Sequence, residues 1–574
     1  MKINRGDSIF FAVLAGVVIC VFGSSLFFKS LILDDVIYVG RFHLLSFSLN
    51  NLKLWWEPVL GLWGPLAGYS FMLDHLIWGK EHLFFGAHLV NILLHFAAAA
   101  GFYAGVRILK FPRIAAGIAV LFWCIHPQRA ESVAWLSERK DVLILAFGVW
   151  SIVFFMQSLK AHKKGLYALS VLFFALSFCI KPALIGLPVI LSAYLWGRYR
   201  RTDWRFYVKY SGIFWLLSLI YYVVFKCVAP AGDLMGTEGL FNQMILIGWR
   251  YGSYLVKTFV PYGLNPMYPH FSFADDSLVP LYAAGVIVLL LLEFLRRGSR
   301  KTLYLYLPLF LSFSAAVAPG LLKIGDTDFA DRYSYFPSVF AVLAAAALLC
   351  GFCRKFPRMV RGVTAVSCCA VLGMGIMCFD KVFVWENPEN YLAAIFSVPR
   401  PNYRIVIGSA IRDFDNGDFA AALQKADRLR QDYNDAPAIR KTMIGLFTES
   451  LEGAILYRQG RSHAGAQKLL RVFSHSHWSL LGNAGYQYAR TVLLMTSGYC
   501  QKTGRRKEAA ELYRRAAGLY GRYEPMEKEF YLALSALCLG DKTTALRHFE
   551  NAQQYSPDDA NIRKNIEILK KNVR

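Results

Sequence analysis

The residues of this chain best placed to do chemistry collect in one stretch, His126 to Leu145, HPQRAESVAWLSERKDVLIL, a charged insertion between two apolar runs. It holds His126, Arg129, Glu131, Glu138, Arg139, Lys140 and Asp141. Ionisable groups at a membrane boundary are costly unless solvated, paired or bound to something, so such a set marks a functional site by default. The alternative is a solvated loop whose long side chains snorkel to water. Pro127 suits the first turn of a helix, and a helix from there brings Glu131, Trp135 and Glu138 onto one face. Arg139, Lys140 and Asp141 then stand where the next apolar run begins.

A membrane scaffold must position these groups. With 574 residues, 56% hydrophobic and 15% aromatic, and mean hydropathy +0.37, the chain is too apolar for a soluble enzyme. Repeated apolar runs of about 20 residues predict an all-α polytopic membrane protein. The net charge of +24 does not imply a nucleic-acid partner, because the basic residues cluster in short loops between spans, as the positive-inside rule describes. Cysteine says little: eleven is an odd number, and most lie in or beside spans.

Those clusters, at Arg107 to Arg113, Lys160 to Lys164, Arg198 to Arg205, Arg296 to Lys301 and Arg354 to Arg361, set the orientation. Ile9 to Phe28 is an uncleaved first span with its N-terminus in the cytoplasm. Further spans are expected near 83–106, 112–125, 141–159, 165–180, 183–197, 206–225, 278–295, 303–321, 336–353 and 362–379, about eleven in all. Residues 29–81 form the first outer loop, whose Trp55, Trp56, Trp63 and Trp78 suit helices lying at an interface. Met244 to Val260 does not fit as a span, since counting it would flip every later loop. With Arg250 and Lys257 on one face, it is expected to lie as a helix at the outer surface.

Past Trp385 the apolar runs become too short to span and charges intersperse. Gly417, Gly460, Gly504 and Gly540 recur at intervals of 43, 44 and 36 in a helix-turn-helix pattern. Gly540, Ala545, Phe549, Ala552 and Pro557 follow the spacing of tetratricopeptide helices, and Gly504, Ala509, Tyr513 and Ala516 repeat it. The expected division is a membrane domain at 1–385 and an α-solenoid of tetratricopeptide-like repeats at 386–574, outside the membrane. Stacked repeats form a concave surface that usually binds peptide.

The pattern His126-Pro127, Glu131, Val133-Ala134-Trp135 and Arg139-Lys140-Asp141 resembles a luminal loop of the transmembrane and tetratricopeptide-repeat proteins. These are relatives of the protein O-mannosyltransferases, with the GT-C glycosyltransferase fold. Leu33-Asp34-Asp35, Gly64-Pro65-Leu66, His88 through His95, Lys181-Pro182 and Ala330-Asp331-Arg332-Tyr333 match in order, so the resemblance covers nearly the whole chain. It implies a transferase moving a sugar, mannose in the related enzymes, from a polyprenyl-phosphate donor to a hydroxyl, with Ser or Thr of a protein as the acceptor. Asp34 or Asp35 would be the catalytic base, taking the proton as the hydroxyl attacks the anomeric carbon. A single base without a covalent intermediate implies inversion. Arg139, Lys140 and Arg332 would bind the donor phosphate, which a guanidinium can hold bidentately. Arg332 could equally be neutralised by Asp328 or Asp331, and Arg139 by Glu131 or Asp141. His126, Glu131 and Asp331 would orient the substrate, although His126 could simply start a helix. The chain departs from the family at Gly64, where Arg is usual, and at Pro182, where Glu is usual.

No cofactor and no metal ion is expected, since neither Asp326 with Asp328 and Asp331 nor Asp275 with Asp276 and His270 has a recognisable ligand spacing. The partners are the lipid-linked sugar, membrane lipid and a protein or peptide held by the repeats; the setting is a bacterial inner membrane with the site on the periplasmic side. A second enzyme reading has a glycan or lipid headgroup as acceptor. The rival from another class is a non-catalytic scaffold whose spans only anchor the repeats. Reporter fusions after Arg200 and after Arg574 should give opposite compartment signals; the same signal from both would overturn the topology.

Overall fold

The first span starts where its sequence can cap it. Asn4 accepts the Asp7 amide and the Asp7 carboxylate accepts the Asn4 amide, a capping box at the head of the helix Arg5–Phe22. Asp7 is buried, takes a 2.9 Å hydrogen bond from the Tyr103 hydroxyl, and has Arg107 and Arg113 at 3.7 and 3.5 Å. These contacts fasten the N-terminal end of the first long helix to the helices Leu83–Ile108 and Arg113–Cys124.

The computed structural model describes residues 4–59, 63–199, 203–228, 240–269, 282, 284–285, 329–398, 400–434, 436, 438–520 and 524–573. Among these, no β-strand occurs, and the chain folds as two compact units, Met1–Pro399 and Arg400–Arg574. Six described helices are long and apolar enough to cross a membrane: Arg5–Phe27, Leu83–Ile108, Leu136–Ala161, Trp204–Val224, Pro337–Lys355 and Pro357–Trp385. The segments expected to span near 112–125, 165–180 and 183–197 are helices of 12, 15 and 13 residues. At 1.5 Å per residue they are roughly 18–23 Å long, short of a hydrocarbon layer of about 30 Å. The span expected at 303–321, that at 278–295 apart from residues 282, 284 and 285, the basic group Arg296 to Lys301, and Asp275, Asp276, His270, Asp326 and Asp328 lie outside the described residues.

Residues 29–81 build a core from Tyr38, Leu45, Trp55, Phe71 and Met72, which Leu83, Ala87 and Leu136 complete from outside the segment. Trp55 is therefore not an interfacial aromatic. It is buried and donates to the Leu44 carbonyl, with Gly68 beneath its ring, where a Cβ would stand 2.3 Å from the indole. Trp56, by contrast, is exposed. The amphipathic helix Leu240–Phe259 also differs from expectation in the facing of its cations. Arg250 and Lys257 are buried beside Tyr254, because Lys257 donates to the carbonyls of Tyr262 and Gly263 and lies over the Tyr262 ring.

The second unit is a series of antiparallel helix pairs: Tyr403–Asn416 with Phe419–Asp432, Ala438–Arg458 with Ser462–Ser474, Tyr486–Lys502 with Arg506–Gly518, and Pro525–Cys538 with Lys542–Tyr555. Within each pair the turn contains the recurring glycine, with φ of +85° at Gly417 and Gly460, +79° at Gly504 and +81° at Gly540. That left-handed conformation suits a residue without Cβ. Asp418 and Asp541 cap the helices that follow. Ala422, Ala466, Ala509 and Ala545 are fully buried, letting partner helices approach closely. The helix Ala560–Val573 closes the series by burying Ile562, Ile566 and Leu569.

Gly504→Ala forces a side chain into the left-handed region and should destabilise the repeat unit by about 1 kcal/mol or more. Gly498→Ala, in a helix interior with open space around it, should instead stabilise it by about 0.5–1 kcal/mol. Chemical denaturation of the detergent-purified chain, followed by far-UV circular dichroism, distinguishes the two.

Candidate active site

The charged stretch folds inward. The short helix Arg129–Ala134 and the turn Leu136–Glu138 are buried along their whole length, and the long helix Arg139–Ala161 starts directly after them. Arg139 has no exposed surface. Its guanidinium pairs with Asp74, donates through Nε to Asn91 Oδ1 at 2.8 Å and through Nη2 to the Ala87 carbonyl at 2.5 Å, and stacks on Phe71 at 4.2 Å. Asn91 in turn donates to the carbonyls of Val133 and Trp135. Arg139, expected at the donor phosphate, is thus held by Asp74, Asn91 and the Ala87 carbonyl, and it joins the Pro65–Trp78 helix to the Leu83–Ile108 helix.

The two adjacent acids have different surroundings. Asp35 is 2% exposed, and its carboxylate takes three hydrogen bonds: from the Ser137 amide at 2.8 Å, the Ser137 hydroxyl at 2.5 Å and the Ile32 amide at 3.1 Å. Burial pushes its carboxyl up to about 7 against the pull of those donors. Asp34 has a side chain 34% exposed and stands 3.8 Å from the Lys140 amine. Leu33 before it has φ +50°, a strained conformation for a residue with a branched side chain. Trp135 steadies this turn by donating its indole N–H to the Ile32 carbonyl at 3.0 Å.

From Asp34 the charges alternate. The Lys140 amine is also 3.9 Å from Glu138 and lies 4.8 Å above the Tyr38 ring; Glu138 is 3.5 Å from Arg332 Nε. The Arg332 guanidinium pairs with Glu131, whose second oxygen accepts the Arg332 amide at 3.0 Å, and it lies 5.5 Å over the Trp135 ring. Burial holds the Glu131 carboxyl up near 7, with Arg332 opposing. Lys181 pairs with Asp141 at the edge of this set, and burial brings its amine down to about 8. The docking of Lys181 depends on Gly64: the Leu66 amide donates to the Cys179 carbonyl, and a Cβ on Gly64 would stand 2.3 Å from the Ile180 carbonyl oxygen.

Of the predicted site residues, the structure thus gathers Asp34, Asp35, Lys140, Glu131 and Arg332. His126 and Asp331 are buried in other surroundings. His126 Nδ1 accepts the Gln128 amide, and burial together with Arg129 holds the ring well below the usual histidine range, so it is neutral and starts the turn. Asp331 accepts from Gln128 at 3.1 Å and from the Tyr268 hydroxyl at 2.9 Å, joining two loops. Sequence reasoning missed Asp74, Glu138 as the bridge between two cations, and Trp135 as a brace. Asn91 was legible only as a motif letter; the i, i+3, i+7 spacing of His88, Asn91 and His95 on one helix face was the available signal.

Arg139→Ala leaves Asp74 buried and uncompensated, and should cost about 3–5 kcal/mol of stability. Arg332→Lys, which keeps the charge but not the planar fork, should spare the melting temperature far more than Arg139→Ala does. Thermal unfolding of both variants in detergent checks this order.

No family model matches the sequence. Over 100 residues, 17% of this chain, it is 33% identical to the protein O-mannosyl-transferase Tmtc1 of Drosophila melanogaster; the matched part is 11% of that protein's length. The crystal structure of the Archaeoglobus fulgidus oligosaccharyltransferase, tethered through a disulfide to an acceptor peptide containing the NVT sequon, aligns with TM-score 0.37 and 14% identity, over 72% of this chain and 58% of that one. In its aligned sequence as in its motifs, this chain resembles the O-mannosyltransferases with transmembrane and tetratricopeptide segments over part of its length.

Proposed function

We propose that the protein is a membrane glycosyltransferase that moves a sugar from a polyprenyl-phosphate donor to a hydroxyl acceptor, with Asp34 as the base. The observation that carries the reading is the division of labour within the acid pair: Asp34 is partly exposed beside Lys140, whereas Asp35 is buried and holds three donors. An ionised Asp34 takes the acceptor proton as the hydroxyl attacks the anomeric carbon. The glycosidic bond to phosphate breaks as the new bond forms, so the configuration inverts. Lys140 and Arg332 stabilise the charge that grows on the departing phosphate. Both already sit among carboxylates, so the phosphate competes for cations held in position rather than ordering loose ones.

The likeness to a protein O-mannosyl-transferase makes mannose the first sugar and a Ser- or Thr-containing peptide the first acceptor to test. The helical repeats of Arg400–Arg574 are the proposed peptide-binding surface, on the outer side of the membrane. A polyprenyl-phosphate mannose and a mixed peptide pool should support transfer by the purified parent chain. Asp34→Asn keeps size and much of the hydrogen bonding and should lower the rate by about 10²–10⁴. Asp35→Asn should act mainly through stability. Equal rates for parent and Asp34→Asn would remove the base; inactivity of the parent on every donor would favour a scaffold.

A further inference from the structure

One buried polar group on the outer side of the membrane unit is used by neither the fold nor the mechanism above. Tyr391 lies in the helix Pro388–Phe396, just after the last span, and is 3% exposed. Its hydroxyl is buried and has no hydrogen-bond partner among the described residues. Such groups are costly and therefore uncommon. The helix that carries it is held firmly: Asn387 caps it through the Asn390 amide, Asn390 donates to the Phe383 carbonyl at 3.0 Å, and Asn265 donates to the Ala394 carbonyl at 3.0 Å.

The ring's position ties it to the charged site. Tyr391 lies 5.5 Å from Trp385, Trp385 stacks on Trp135 at 4.9 Å with 10° between the planes, and Trp135 carries the Arg332 guanidinium above it. Burial raises the phenol's pKa, and Glu131, Arg332 and Asp34 stand within electrostatic reach of it. Resting on the transferase reading, we propose that the Tyr391 hydroxyl is a ligand of the donor phosphate, donating a hydrogen bond to a phosphate oxygen beside Arg332. A neutral donor suits that place. The neighbouring carboxylates already offset the cations, and an O–H adds attraction for an anion without adding a buried charge.

The probe is polyprenyl monophosphate without sugar, titrated into the detergent-purified full chain and read by tryptophan fluorescence, with the uncharged polyprenol as control. Tyr391→Phe keeps the ring and removes only the hydroxyl. It should weaken polyprenyl phosphate by about 10-fold, leave polyprenol unchanged, and raise the KM for the sugar donor. Equal phosphate affinity in parent and variant, or equal weakening of both lipids, overturns the proposal. If Tyr391→Phe fails to fold, 3-fluorotyrosine at 391, a more acidic donor on the same ring, should tighten phosphate binding; no change there overturns it equally. A parent that neither binds polyprenyl phosphate nor transfers any sugar sinks the transferase reading and this inference together. A parent that does both while the variant matches it sinks this inference alone.

Discussion

A guanidinium without exposed surface must find its counter-charge inside the protein, and one end of the membrane unit is arranged around that requirement at Arg139. The pair with Asp74 satisfies the charge, and Asn91 and the Ala87 carbonyl take remaining N–H groups. The partners come from two parts of the chain: Asp74 from the helix Pro65–Trp78, Asn91 and Ala87 from the Leu83–Ile108 helix. Removing one would leave the other charge buried and alone, so the loop, the helix and the charged stretch are bound to one geometry.

That geometry gives adjacent acids different tasks. Successive side chains cannot point the same way, so only one of Asp34 and Asp35 could turn toward the alternating charges. Ser137 and Ile32 claim Asp35, and the strained Leu33 backbone leaves Asp34 beside Lys140. From there the sequence of Lys140, Glu138, Arg332 and Glu131 keeps each buried charge next to one of opposite sign. Cations so placed lie in a low-dielectric surrounding, where attraction for an anion is strong and little reorganisation is needed.

The end of the last span belongs to the same arrangement. Trp385 stacks on Trp135, and Trp135 supports both the Ile32 carbonyl and the Arg332 guanidinium. The helix Pro388–Phe396 accordingly lies within the unit Met1–Pro399. Composition changes at Trp385 because the chain leaves the apolar layer there. Packing continues past that point because Tyr391 and Ile395 still bury their side chains against the same unit.

The sequence already carried the classes of element. Apolar runs of about 20 residues are long enough to cross a bilayer as helices, and four glycines at intervals of 43, 44 and 36 mark turns between paired helices. It also located the charged stretch, since so many ionisable groups between apolar runs need a reason. Pairing, by contrast, depended on packing in three dimensions. Arg139 and Lys140 are neighbours in the chain, yet one is consumed by Asp74 and the other faces Asp34, because a helix start sends consecutive side chains in different directions. Likewise Glu131 and Arg332 lie 201 residues apart, and no periodicity could join them. Packing also decides what covers the apolar helices Arg113–Cys124 and Lys164–Phe178, since hydropathy does not say whether neighbouring helices or lipid bury a helix of 12 or 15 residues.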